Sequence, residues 1–195
     1  MLDKLQRTRT CVVAVWKISR EPVSNVNTPN GLLALRWYAC ALVIAVADHY
    51  TKGLASTGLV YGRPMELLPW FNLTLQHNTG AAFSLLNDAG GWQRYFFSVV
   101  AIGISAFLTV WLYRMQRGHL LLAISIGLIL GGALGNLWDR MVLGYVVDFI
   151  SVHYKGYYFP AFNLADAAIS VGAVGMLWDS FLTDDHSDDA RVNSK

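Results

Sequence analysis

Tyr95–Tyr113 and Leu120–Trp138 contain no charged side chain, and each is close to the run of about 20 apolar residues that crosses a hydrocarbon core of roughly 30 Å. Two more stretches read the same way. Leu32–Ala47 holds one charge, Arg36, and Phe162–Leu182 holds two, Asp166 and Asp179. With 54% hydrophobic and 14% charged residues, the composition excludes a soluble domain of this size. The expected fold class is an all-α membrane protein with four transmembrane helices. Four spans leave both termini on one side of the membrane.

Lys and Arg indicate which side, because cytoplasmic segments beside spans are enriched in them. Lys4, Arg7, Arg9, Lys17, Arg20, Arg36, Arg114, Arg117, Arg191 and Lys195 fall on the terminal side, and Lys52, Arg63, Arg94, Arg140 and Lys155 on the other. Ten against five places both termini in the cytoplasm. The net charge of +2 needs no nucleic-acid partner, since the basic residues serve as topology signals.

Residues 1–31 read as a cytoplasmic extension without fixed structure: polar and basic, with an apolar patch, Cys11–Trp16, too short for the core of a secretory signal. Residues 32–182 form the membrane domain, and residues 183–195 an acidic cytoplasmic tail whose aspartates are solvated charge. Cys11 and Cys40 suggest no disulfide framework.

Outside the membrane, Phe71–Asn78 alternates apolar and polar side chains with the period of a half-buried strand. Residues 81–93 read as a short amphipathic helix broken at Gly90–Gly91. Tyr145–Asn163 holds two β-rich runs around a turn at Lys155–Gly156. A small extracytoplasmic β-cradle therefore joins the four helices.

Acids inside or beside spans are costly and mark function by default. Asp166 lies in the first turns of the last span. Asp148 is 18 residues away in sequence, but the hairpin shortens the path: if Tyr154 faces Tyr157, Asp148 faces Asn163, and Asp166 follows about one helical turn later. Two carboxylates that meet share a proton, one acting as base toward water and the other as acid toward a carbonyl, the chemistry of aspartic peptide hydrolysis. Taken alone the pair is also compatible with a structural cap and a salt-bridge partner, or with an ion path. Asp139–Arg140 reads as an interfacial pair, and Asp48 as an exposed cap ending the first span. There is no zincin motif, nucleophile elbow or phosphate loop. His49, His77, His119, His153 and His186 are scattered.

Three blocks, "HNTGAAFSLL" (77–86), "GGALGNLWDRMVLGYVVDFI" (131–150) and "FPAFNLADAAISVGA" (159–173), resemble in sequence and order the signatures of the lipoprotein signal peptidases, also called signal peptidase II. The resemblance covers about residues 32 to 182. It implies an intramembrane aspartyl protease of the bacterial cytoplasmic membrane that removes the signal peptide from diacylglyceryl-modified prolipoproteins just before the lipidated cysteine. It makes Asp148 and Asp166 the catalytic dyad, and Asn78, Asn136, Arg140 and Asn163 polar residues of the substrate cleft, with Asp48 a structural or cleft residue. No metal or organic cofactor is implied; the partners are prolipoprotein substrates and membrane lipids, and the chain is expected to act as a monomer. The block "DHYTK" departs from the family's usual Asp-Gln-x-Thr/Ser-Lys by carrying His49. A small proton- or cation-coupled transporter is the alternative, but it would place its acids toward mid-membrane.

Overall fold

All four apolar runs fold as helices, the form in which a segment in lipid satisfies its own backbone. A computed structural model describes residues 29–80 and 91–192, with side chains as far as Leu182; the extension up to residue 28 and residues 81–90 of the amphipathic helix expected over 81–93 lie outside the described residues, while Trp92 and Gln93 begin the second span. The helices are α1 (Leu35–Gly58, entered through a 3-10 turn at Gly31–Ala34), α2 (Trp92–Arg114), α3 (Leu120–Val142) and α4 (Leu164–Val192). All four contain stretches long and apolar enough to cross a membrane. α4 continues as helix through most of the acidic tail.

α1 does not end at Ala47 as its hydropathy suggests. Asp48 and Lys52 lie one turn apart on the same face and neutralise each other at 2.7 Å, so the charges continue the helix rather than stop it. Thr51 removes its own hydroxyl from the apolar environment by donating to the Ala47 carbonyl at 2.9 Å.

α3 is the centre of the bundle: 56% of its most apolar window is buried, against 17–22% in the other three spans. The outer helices turn Leu42, Val43, Val99, Phe107, Val171 and Val174 outward, exposed as lipid-facing residues are. Helices in lipid associate by close packing of small residues rather than by escape from water, and the glycines show it. A Cβ on Gly131 would stand 2.6 Å from the Ala41 carbonyl oxygen of α1, and one on Gly172 of α4 2.6 Å from the Ser125 carbonyl oxygen of α3. These small residues pack helices of one chain.

At one end of the bundle an antiparallel sheet runs in the order β1 (Met65–Leu68), β2 (Phe71–Asn78), β3 (Val146–Tyr154), β4 (Tyr157–Tyr158). β1 has no strand pattern, since Met, Glu and Leu are helix formers; its pairing with β2 makes it a strand, and all four of its residues are exposed. β2 forms where its alternation predicts, but Asn72 and Thr74 are buried while Phe71 and Leu73 are only half-buried. The buried face of the first half of β2 is therefore polar. A bulge between Leu73 and Gln76 then shifts the register with β3 by one residue, which buries Leu75 and exposes Gln76.

The β3–β4 turn is the expected one: Lys155 and Gly156 have φ of 47° and 85°, the pair of positive values a tight two-residue hairpin requires. Tyr154 pairs with Tyr157 and His153 with Tyr158. Past Pro160 the ladder slips by one, so that Ile150 pairs with Phe162. Gly144, at φ 89°, ends α3 in the left-handed conformation, its N–H and that of Leu143 both reaching the Asp139 carbonyl. That abrupt stop sends the chain directly into β3.

Candidate active site

A cleft of about 1060 Å³ opens between the sheet and the adjoining ends of α3 and α4, and Asn78, Asn136, Arg140, Asp148 and Asp166 all line it. Five of the seven sequence-predicted site residues thus meet in one cavity. Asn163 lies immediately beneath, fully buried.

Asp166 owes its place to the start of α4. The Asn163 side-chain oxygen accepts from the Asp166 N–H at 2.9 Å, and the Asp166 carboxylate accepts from the Asn163 N–H at 3.3 Å. This reciprocal arrangement is a capping box, with Asn163 as N-cap and Asp166 three residues on. Asp148 owes its place to β3, one of whose faces it shares with the cleft. Its two carboxylate oxygens accept from Asn163 Nδ2 at 2.7 Å and Asn78 Nδ2 at 3.0 Å. The other carboxylate oxygen of Asp166 accepts from Asn136 Nδ2 at 2.8 Å. Asn163 is therefore the bridge: its side-chain amide serves Asp148 while its backbone serves Asp166.

Burial, and then the Asp166 charge across the cleft, push the Asp148 carboxyl from 3.8 up to about 7; the amides of Asn78 and Asn163 offset part of that rise. A carboxyl with this value carries a proton over much of the neutral range, as an acid catalyst must.

Arg140 donates to the Asn136 carbonyl at 3.3 Å and lies over the Phe97 ring at 5.5 Å. It closes one side of the cleft. On the sheet side His77 stacks on Tyr145, 4.0 Å between ring centroids, and meets the tilted ring of Tyr61 at 4.9 Å.

Two sequence expectations need correction. Asp48 is not an exposed cap: it is buried mid-helix, and it accepts from the Ala165 N–H at 2.8 Å, within the first turn of α4. Asp139 and Arg140 do not form an interfacial pair. Neighbouring residues on a helix point in directions about 100° apart, and Asp139 turns inward to Lys52 at 3.0 Å and the Val147 N–H at 3.1 Å. Lys52 itself went unrecognised as a site residue, although an Asp and a Lys four apart at the end of an apolar helix is the signal of such a pair. His49 is exposed, edge-on to Trp138 at 6.0 Å, and does not line the cleft.

With this geometry established, the likeness to known proteins is specific. Residues 40–182 match the family model of Signal peptidase (SPase) II. The chain is 52% identical over 151 residues to the lipoprotein signal peptidase of Teredinibacter turnerae, covering 77% of this chain and 90% of that one. It is 52% identical over 153 residues to that of Acinetobacter baumannii, covering 78% and 85%. Two solved structures of a bacterial membrane enzyme obtained by the in meso method share 32% identity with it, at TM-scores of 0.68 and 0.63; they cover 76% and 73% of this chain, and 88% and 90% of theirs. Four membrane helices, a small sheet at one end and matches of this extent place the protein among the multi-pass proteases of the bacterial inner membrane: the chain belongs to the signal peptidase II family, the lipoprotein signal peptidases.

Proposed function

We propose that Asp148 and Asp166 are the catalytic dyad of this peptidase and that it cleaves diacylglyceryl-modified prolipoproteins just before the lipidated cysteine. The observation that carries the assignment is the single buried amide, Asn163, that joins two acids from different elements at the wall of one cleft. In this reading Asp148 holds the shared proton and hydrogen-bonds the scissile carbonyl oxygen, while ionised Asp166 takes a proton from water as the water oxygen bonds to the carbonyl carbon. The tetrahedral intermediate collapses when a proton passes to the cysteine nitrogen. The C–N bond breaks, leaving a carboxylate on the signal peptide and a free amine on the lipidated cysteine. Asn78, Asn136 and Arg140 line the cleft with groups that suit a substrate backbone.

The cleft end is assigned to the extracytoplasmic side and both termini to the cytoplasm. Arg36, Arg114 and Arg117 are exposed at the opposite end of the bundle, whereas Lys52, counted against this orientation by sequence alone, is ion-paired inside the protein. One chain supplies both carboxylates and their amide partners, which supports a monomeric enzyme. A transporter is not supported, since the acids Asp48, Asp139, Asp148 and Asp166 gather at the sheet end.

The test is a gel-shift assay on a diacylglyceryl-modified prolipoprotein with purified enzyme. The parent should release the signal peptide, and Asp148→Asn and Asp166→Asn should each fail to do so while still folding. Cleavage by either folded variant at a rate near the parent's would remove that residue from the dyad.

A further inference from the structure

Lys52 is a buried cation that does not line the cleft, and neither do Asp48 and Asp139. The mechanism above uses none of the three. A Lys at 2% exposure is rare enough that its partners define its purpose. It has three: Asp48 Oδ2 at 2.7 Å, Asp139 Oδ2 at 3.0 Å and Asn136 Oδ1 at 3.0 Å. An ammonium has three protons and no acceptor, and three oxygens surround this one.

The third contact sets an orientation. An Asn amide can be turned over, exchanging its oxygen and nitrogen, unless its surroundings distinguish them. At Asn136 the oxygen faces two donors, Lys52 Nζ at 3.0 Å and Asn163 Nδ2 at 3.3 Å. Its nitrogen is therefore the atom that faces Asp166, at 2.8 Å. The other two contacts fix the backbone. Asp48 holds the N–H of Ala165, the residue before Asp166, and Asp139 holds the N–H of Val147, the residue before Asp148. One ammonium thereby ties together the chain beside both acids and the amide that meets one of them.

We propose that Lys52 is a positioning residue for the dyad: it holds the Asn136 amide with its N–H toward Asp166 and, through Asp48 and Asp139, registers α4 against β3. This rests on the dyad reading above. If Lys52 merely neutralised two buried acids, removing all three charges together would leave turnover intact. If it positions the dyad, that same change slows turnover in a protein that still folds.

The informative variant is the triple Lys52→Met, Asp48→Asn, Asp139→Asn. It leaves no unpaired buried charge, and the new amide oxygens can still accept from Ala165 and Val147. With a diacylglyceryl-modified prolipoprotein as probe, kcat should fall by roughly 100-fold, the scale of a misplaced catalytic group, with KM within about threefold of the parent. Adding Asn136→Ala to the triple variant should cost less than about threefold more, because the two act in series. Parent-like kcat in the folded triple variant, a change confined to KM, or an Asn136→Ala effect as large as in the parent background would each overturn the proposal. Should the triple variant fail to accumulate, the same cycle in Lys52→Leu, Asp48→Asn, Asp139→Asn, which likewise leaves no unpaired buried charge and no donor to Asn136, decides by the same criteria. Asp148→Asn is assayed in parallel: if it cleaves, the dyad reading fails, whereas an inactive Asp148→Asn beside a fully active triple variant defeats only the role of Lys52.

Discussion

Replacing Asp148 by Asn probes the dyad through stability as well as rate. The folded-state value of about 7 lies above the unfolded value of 3.8, so the native protein binds the proton more tightly. Below the unfolded value neither state is charged and the carboxyl costs nothing. As pH rises from there the unfolded chain ionises first and stability falls, until the loss is complete above the folded value. At about 1.36 kcal/mol per unit the full cost is about 4 kcal/mol, of which the larger part accrues between roughly pH 5 and pH 8.

Asn removes that cost and introduces another. The new amide nitrogen faces Asn78 Nδ2, and Asn78 cannot turn over freely because its oxygen accepts from the Gly80 N–H at 3.1 Å. This mismatch costs about 1–2 kcal/mol at every pH. It cancels when one compares how each protein changes with pH. In apparent melting temperature, at about 2–4 °C per kcal/mol for a chain of this size, the parent should lose roughly 5–10 °C more than Asp148→Asn between about pH 5 and pH 8. Thermal unfolding of both purified proteins, with prolipoprotein cleavage measured alongside, checks it. Parallel pH dependences would refute the raised value, and cleavage by the variant within about tenfold of the parent would refute the catalytic role.

Gly135→Ala should both destabilise and inactivate, because its Cβ would stand 2.6 Å from Asp48 Oδ2, which Lys52 holds in place; Gly103→Ala, with open space around it, should be neutral in both assays. Asn30→Ala should cost about 1–3 kcal/mol in thermal stability, since Asn30 is buried and its Nδ2 donates to the Leu112 carbonyl at the end of α2, whereas deleting residues 2–28 leaves that contact and should leave cleavage nearly unchanged. A reporter fused after Arg117 or Lys195 should read as cytoplasmic and one inserted near Gly62 as extracytoplasmic, the reverse at any site refuting the orientation.

The helices were legible in the sequence because a span is long and its apolar signal is summed over many residues. The tight turn at Lys155–Gly156 was legible because positive φ has few residue solutions. β1 was not, as its strand state comes wholly from β2. The polar inner face of β2 was not, because alternation reports two faces without saying which one is buried. The readings of Asp48 as a cap and of Asp139 as a pair with Arg140 are both local and fail for one reason: the two acids meet on Lys52, which reaches Asp139 across 87 positions.

Asp166 at the third position of α4 satisfies a helix start whether or not it does chemistry, so the capping box alone cannot distinguish a cap from a catalyst. The distinction lies in what Asn163 does with the rest of its side chain. An N-cap needs only its oxygen; this one spends its nitrogen on Asp148. That link demands two registers at once. One residue of rotation in α4 would swing Asp166 about 100° away from the cleft, and one residue of slip in β3 would turn Asp148 to the other face of the sheet. The bulge in β2 brings Asn78 onto the Asp148 face, and the slip near Pro160 adjusts the path between hairpin and α4. Both irregularities lie in the connections to the two acids, which is where a helix of period 3.6 and a strand of period 2 must be brought into step for the carboxylates to meet.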